Sequence, residues 1–530
     1  MPMMTRRALL GGAAGAGLLL ASARGAAAAP GIAARSGGIP LTREERRAVV
    51  IGSGFGGGVA ALRLAQAGVP VLLLERGRRW ATGPNSETFP RATQPDKRLL
   101  WHRSSPTLFG TPLIFDRYAG LLEAVSGTGM TALCAAGLGG GSLVYQGMSL
   151  QPTREVFETH FPAGIDWERM DQVFYPRVAR MLGLATAPDE LVDSAPYAAA
   201  RIFAERVRGA GLPLSKIPMP IDWNYALAEL RGEMKPSYTN GDGAMGVNNG
   251  GKNSVDVTYV AAAEATGIVD VQTLHEVTDI ERAPDGRWVV RVDRIDTGGV
   301  VLENKVITTP TLVLAAGSLN TTRLLVRAGA KGAIPDLPDE LGKGWGTNAD
   351  RIYVWRDPSA NFGAAQGGPV VFGSKNWDDP QAAFTFIQAS IPPLSLDAGS
   401  TMLVGYGVSD GRGDFVYDPG SDDARLRWPH EGDRGIQAHI DAAIRRVAGP
   451  SAHLIDTNAI FPSTWHPLGG ANMGSVCDLE GRVRGQRGLY VLDGALMPGN
   501  TAACNPSMTI AAVAERALDV LVRNDVGVVI

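Results

Sequence analysis

Cysteine is scarce: Cys134, Cys477 and Cys504 stand far apart in 530 residues, odd in number and without a C-x-x-C pair. Neither a disulfide framework nor a cysteine zinc site is therefore indicated. The seven histidines are equally scattered and lack ligand spacing, so no metal site is read. Charge is sparse and balanced, at 19% charged residues and a net −3, with no basic stripe interleaved with aromatics. That argues against a nucleic-acid partner. Long apolar runs are lacking too; the Gly/Ala/Leu stretch ending near Ala21 is short and glycine-rich for a permanent membrane span. Glycine and proline are plentiful, at 67 and 34, as expected of a loop-rich α/β protein without internal repeats. The length exceeds one ordinary core, so two or more domains, able to bury a large cofactor, are expected.

At the N-terminus, Thr5-Arg6-Arg7-Ala8-Leu9-Leu10 precedes that apolar stretch, and alanine-rich residues follow to Ala29. Residues 1–29 read as an export signal resembling the twin-arginine type, a route that carries folded proteins; a plain N-terminal extension is the alternative. Residues 30–47 read as a polar, proline-containing linker.

Val49-Val50-Ile51-Gly52-Ser53-Gly54-Phe55-Gly56-Gly57 is a strand running into a glycine turn. A helix over 59–67, a turn at Gly68, a second strand Val71-Leu72-Leu73-Leu74 and its terminal Glu75 follow in order. This is the pattern of a dinucleotide-binding βαβ unit. Gly52 permits the tight turn, Gly54 clears the pyrophosphate's approach, Gly57 lets the helix lie on its strand, and Glu75 accepts from the ribose hydroxyls.

Residues 81–130 read as an extended excursion over the surface or the cofactor. In Gly137-Leu138-Gly139-Gly140-Gly141-Ser142-Leu143-Val144 four glycines allow close backbone approach to a flat or charged group, or else form a simple flexible loop. Helices are predicted over 196–211, 257–265, 320–327, 434–447 and 508–523. Strands are predicted over 269–277, 288–292, 311–316, 369–372, 383–389, 402–406, 413–417 and 488–493. The strands between 350 and 450 imply an antiparallel sheet inserted between halves of the first domain.

These segments, with Asn249 to Tyr259, Gly342-Lys343-Gly344-Trp345-Gly346 and Trp465-His466-Pro467-Leu468-Gly469-Gly470, resemble the glucose-methanol-choline group of flavin oxidoreductases, most of all its cholesterol-oxidase branch. The implied fold is α/β: a Rossmann-like FAD-binding domain over 48–345 with excursions, a mainly substrate-binding domain with an antiparallel sheet over 346–460, and a return to the first domain over 461–530. The implied cofactor is non-covalent FAD. Gly52, Gly54, Phe55, Gly57 and Glu75 would hold its ADP part, with Val277 near the adenine and Asp493 on the ribityl or pyrophosphate part. Gly139, Gly140, Gly141 and Ser142 would lie beside the flavin, and Asn505, Pro506 and Met508 would bring the last helix to it.

Alcohol oxidation needs an electron sink, a base and a group that holds the oxygen. Imidazoles titrate near neutral pH, and His466 stands in a segment stiffened by proline and glycine. Taken singly it would be read as a packed histidine; the resemblance makes it the base. Asn505 before Pro506 is equally an N-cap, and the resemblance sets it opposite His466 as a donor to the substrate or flavin edge. The chain departs from the cholesterol-oxidase pattern at Ile387 or Gln388, where an isomerising glutamate is expected, and at Tyr145 and Gln146, where Asn-Gly is expected. The partners implied are a small-molecule alcohol, sterol-like and bulky, and oxygen or another electron acceptor. Oxidation of a sugar, polyol or secondary metabolite, or a lyase reaction on the same fold, are the competing readings.

Overall fold

The computed structural model describes residues 38–108, 111–391 and 398–530. The export segment 1–29 and the start of the linker lie outside the described residues.

Five parallel strands form the central sheet in the order Leu489–Val491, Thr311–Leu314, Ala48–Ile51, Val71–Glu75 and Val269–Thr273. Nearly all of these side chains are buried apart from the half-exposed edge strand, which is why they read as continuous apolar runs. The helix Phe55–Gln66 starts inside the glycine turn, several residues before the predicted 59, and packs against the last helix, Pro506–Asn524. Two glycines make this junction possible. Gly52 has φ +96°, and a Cβ there would lie 2.2 Å from the Ala315 carbonyl oxygen; one on Gly57 would lie 1.9 Å from that of Gly52.

A six-stranded antiparallel sheet runs His453–Asp456, Arg351–Arg356, Ser400–Gly407, Phe384–Ala389, Phe372–Asn376 and Ser215–Lys216. The helix Arg434–Ala448 covers it with Ile436, Ile440 and Ile444. The strand foreseen at 413–417 lies outside this sheet, in a hairpin of Asp414–Asp418 with Asp423–Arg427.

Three expectations need correction. The strand expected over 269–277 is two strands: Leu274 takes φ +58°, its amide donating to Gly77, and His275–Arg282 leaves for a second, four-stranded sheet. This break turns His275, Glu276 and Val277 toward the carboxyl ends of the parallel strands. Residues 41–45, read as linker, form an edge strand paired in parallel with Val301–Thr309. It is exposed on both faces, so it carries no apolar alternation by which to read it. Finally, the excursion over 81–130 includes Leu122–Ser126, which forms a hairpin with Thr131–Ala135.

His102, on this excursion, has a side chain 1% exposed and a Nε2 without a hydrogen-bond partner. Burial, then the nearby Arg103 and Arg117, pulls its pKa from 6.5 down to about 4. Between those values the unfolded chain binds the proton that the folded one refuses, so stability is full above the upper value and lost as pH falls to the lower. Denaturant unfolding across that pH range checks it: His102→Gln should flatten the slope relative to the native chain.

Candidate active site

A cavity of about 480 Å³ opens at the carboxyl ends of the parallel strands, where open α/β sheets bind ligands. Ile51, Glu75, Ala315 and Asp493, each at or just past the end of its strand, contribute to its wall. The helices Phe55–Gln66, Gly317–Ala330 and Pro506–Asn524 begin at this wall, and none has an acidic residue in its first turn. The partial positive charges of the first and last are thus left for a bound anion, while the Asp493 carboxylate sits at the start of the middle one. Gly54, Gly141 and Gly317 line the cavity, and a Cβ on any of them would meet no atom within 4 Å. Open backbone edged by helix N-termini suits a pyrophosphate and a flat ring.

The carboxylate of Glu75 lines the same cavity, accepting from Ser53 Oγ at 2.6 Å and Gly77 N at 2.8 Å, with lone pairs left for a ribose. Asp493 accepts from Gly317 N at 2.8 Å, Thr321 Oγ1 at 2.5 Å and Ala495 N at 2.8 Å, tying the last sheet strand to the helix beside it. Burial nonetheless pushes its pKa up to about 6.

The antiparallel sheet supplies the remaining wall. Ile352, Val404 and Ile387 are cross-strand partners in one row, with Met402 two residues along, and all four line the cavity. Gln388 is on the opposite face, donating to Thr401 Oγ1 at 3.0 Å, because neighbouring residues of a strand point to opposite sides. Of these two, Ile387 faces the cavity and Gln388 is a core residue.

His466 lines the cavity between Trp465 and Pro467. Its Nδ1 lies 2.6 Å from Asp350 Oδ1, and the Tyr406 ring meets its edge at 5.7 Å. The other Asp350 oxygen accepts from Thr464 Oγ1 at 2.7 Å, Trp465 N at 3.1 Å and His466 N at 3.2 Å. A carboxylate so surrounded by donors accepts from the ring's Nδ1–H, which keeps the proton on Nδ1 and leaves Nε2 as the acceptor. Asp350 was not anticipated: it lies 116 residues from its histidine, in a turn with no local motif. Two left-handed non-glycine residues, Asn348 and Ala349, precede it. They are held by Asn348 Nδ2 on Thr501 Oγ1 and Cys504 O, opposite the equally left-handed Ala502 and Ala503. Such strain persists where surrounding bonds enforce it, as around functional groups.

Asn505 also lines the cavity, 3% exposed, but its expected free amide is corrected. One N–H donates to the Met148 carbonyl, the other to Ser507 Oγ at 2.7 Å, and Oδ1 accepts from Leu150 N at 3.3 Å. The side chain makes no capping bond; it braces 148–150 against the start of the last helix.

Of the other predicted residues, Gly52, Phe55, Gly140, Tyr145, Val277 and Pro506 line the cavity. Gly57, Gly139, Ser142 and Met508 stand behind it. Gly139 is left-handed at φ +105°, its amide donating to Ser53 Oγ, while Ser142 Oγ bridges Gly139 O and Val255 N. Unforeseen were Arg76, Glu123 and Arg323, a polar cluster on the cavity in which the partly exposed Arg76 meets the buried Glu123 at 2.5 Å. Among the described residues no group of three or more His, Cys, Asp or Glu could hold a metal, and no helix is long and apolar enough to cross a membrane.

Models of the GMC oxidoreductase N- and C-terminal regions match residues 114–344 and 427–514, and a model of an NAD(P)-binding Rossmann-like domain matches 50–118. The chain is a GMC oxidoreductase. A cholesterol oxidase of Mycobacterium tuberculosis is 28% identical over 88% of this chain and 90% of its own length. One of Acinetobacter baumannii is 26% identical over 89% and 93%. Among solved structures, a fungal aryl-alcohol oxidase superposes with TM-score 0.61 at 15% identity, covering 91% of this chain and 99% of that one. A pyridoxine 4-oxidase from Mesorbium loti superposes at 0.58 and 17%, covering 89% and 98%. These two show the shared fold. As a GMC oxidoreductase the protein is an FAD-dependent alcohol oxidoreductase, and its open glycine backbone and anion-ready helix ends fit that cofactor. The turn at Gly52 and Gly54 with Glu75 would take the ADP part, and Gly140, Gly141 and the Pro506 helix end the flavin.

Proposed function

We propose that this GMC oxidoreductase converts a bulky, largely apolar secondary alcohol to its ketone, with His466 as base, non-covalently held FAD and oxygen as acceptor. Residues 1–29 direct its export. The observation that carries the reading is the Asp350-held imidazole of His466 on the same cavity as Ile352, Ile387, Met402 and Val404. An alcohol carbon seated on that wall would set its hydroxyl proton toward Nε2, while the positive charge gained by the ring is balanced by Asp350. Bound FAD supplies the acceptor for the two electrons leaving the carbon. The start of the last helix favours negative charge on a reduced cofactor by about 1 kcal/mol.

Anaerobic flavin reduction across sterols, terpenoid alcohols and sugars tests the assignment: bleaching by the apolar alcohols is expected. Reduction by sugars alone would overturn the substrate class, and an unbleached flavin with cleaved substrate would establish a lyase. With Ile387 facing the cavity, that strand offers no carboxylate to move a steroid double bond. If cholesterol is oxidised, the expected product is the unconjugated ketone, distinguished by its ultraviolet spectrum; rapid formation of the conjugated enone would contradict this.

A further inference from the structure

Lys252 is only 8% exposed, and among the described residues no carboxylate lies within salt-bridge reach of its ammonium; Asp256 is the one charged group that acts on it. A lysine is seldom buried without a partner, since a charge taken out of water is costly until it is compensated. Its Nζ donates to the Leu143 and Tyr145 carbonyls at 3.0 and 2.7 Å and lies 4.9 Å from the Tyr145 ring. Those contacts solvate the charge without neutralising it. Asp256 stands at the other end of the same loop, where its Oδ1 accepts from Ser254 Oγ and a Cβ on Gly139 would lie 3.1 Å from that oxygen. Between the two, Val255 N donates to Ser142 Oγ at 2.9 Å. Residues 252–256 thus underlie 139–145, the loop whose Gly140, Gly141, Val144 and Tyr145 line the cavity. Lys252 is one hydrogen bond behind that wall. Its bonds also set the wall's polarity. The N–H and C=O of a trans peptide point in opposite directions, so holding the Tyr145 carbonyl turns the Gln146 amide away from Lys252, and this amide meets no protein acceptor among the described residues.

We propose that Lys252 is a positioning residue that fixes the 143–146 wall and, through its uncompensated charge, raises the reduction potential of FAD bound against that wall. The reduced cofactor carries more negative charge than the oxidised one, so a fixed cation behind the wall favours the reduced form. Out of water that field is only weakly screened. The proposal rests on FAD lying along Gly140 and Gly141, and it is independent of which alcohol is oxidised.

The test compares the native enzyme, Lys252→Gln and Lys252→Met, each loaded with FAD and equilibrated anaerobically with a reference dye, with no alcohol present. Measurement at pH 6 keeps the lysine charged, since burial pulls its pKa from 10.5 down only to about 7. At the native midpoint the ratio of reduced to oxidised flavin should fall about tenfold in both variants, which is about 30 mV for a two-electron couple. Glutamine can still donate to a loop carbonyl and methionine cannot, yet both lack the charge, so an equal loss assigns the effect to the charge. A native potential in Lys252→Gln, or in both variants, overturns the proposal; a merely structural role would lower the melting temperature or the FAD affinity and leave the potential in place. One measurement needs no variant: FAD in the native enzyme should have a higher potential than free FAD at the same pH, and a value at or below that of free FAD overturns the proposal even if neither variant folds. Native protein that takes up no FAD overturns the placement of the cofactor itself, a failure distinct from a bound flavin whose potential does not move.

Discussion

His466→Ala is expected to reduce its flavin roughly 10²- to 10⁴-fold more slowly than the native enzyme, the range lost with a positioned general base. The histidine lines the same cavity as the apolar row, and its backbone amide is bonded to the carboxylate that holds its ring. Removing the ring leaves the cavity without an acceptor for the alcohol proton at that place. Stopped-flow reduction at saturating substrate isolates the step from reoxidation. FAD content should be unchanged, since the glycine turn and Glu75 belong to other segments. A slowing of less than about tenfold would remove His466 from the role of base.

The second large effect is expected of Asp350→Asn, a side chain buried to 0% exposure. Asp350 accepts from four donors: the ring Nδ1–H, two backbone amides and Thr464 Oγ1. Asparagine has one acceptor oxygen. Turned toward the backbone, it presents its NH₂ to Nδ1, which moves the ring proton to Nε2 and removes the base. Turned toward the ring, it sets NH₂ against amide donors. Either arrangement leaves donors opposed in a buried site, at about 1–3 kcal/mol of stability. The reduction rate should fall by about 10²-fold or more, and its pH profile should shift, because the positive ring loses its counter-charge. A merely structural role would lower the melting temperature and leave that profile in place. Asp350→Glu keeps the charge and should restore part of the rate.

The first βαβ unit was legible because all its requirements are local: the glycines, the apolar strand and Glu75 fall within 27 residues of one another and carry their reasons in their own side chains. The antiparallel sheet was legible as short alternating runs, although Arg351–Arg356, which pairs with a neighbour on each side, was not anticipated. Edge strand 41–45 and the bend at Leu274 escaped because pairing with distant backbone, not side-chain pattern, defines them. The same holds in the site. Asn505 could be named, yet its commitment to Met148 and Leu150 depends on a loop more than 350 residues earlier in the chain.

By itself, then, the sequence determined that a dinucleotide is bound near the N-terminus, that a histidine and an asparagine lie near the C-terminus, and that no cysteine or histidine set is spaced for metal. Only the tertiary structure decided that Asp350 holds His466, that Ile387 and not Gln388 faces the cavity, and that Asn505 is committed to Met148 and Ser507. The physical reason is range: backbone turns and strand periodicity are written in adjacent residues, whereas hydrogen-bond partners and the direction a side chain faces are set by whatever the fold packs against them.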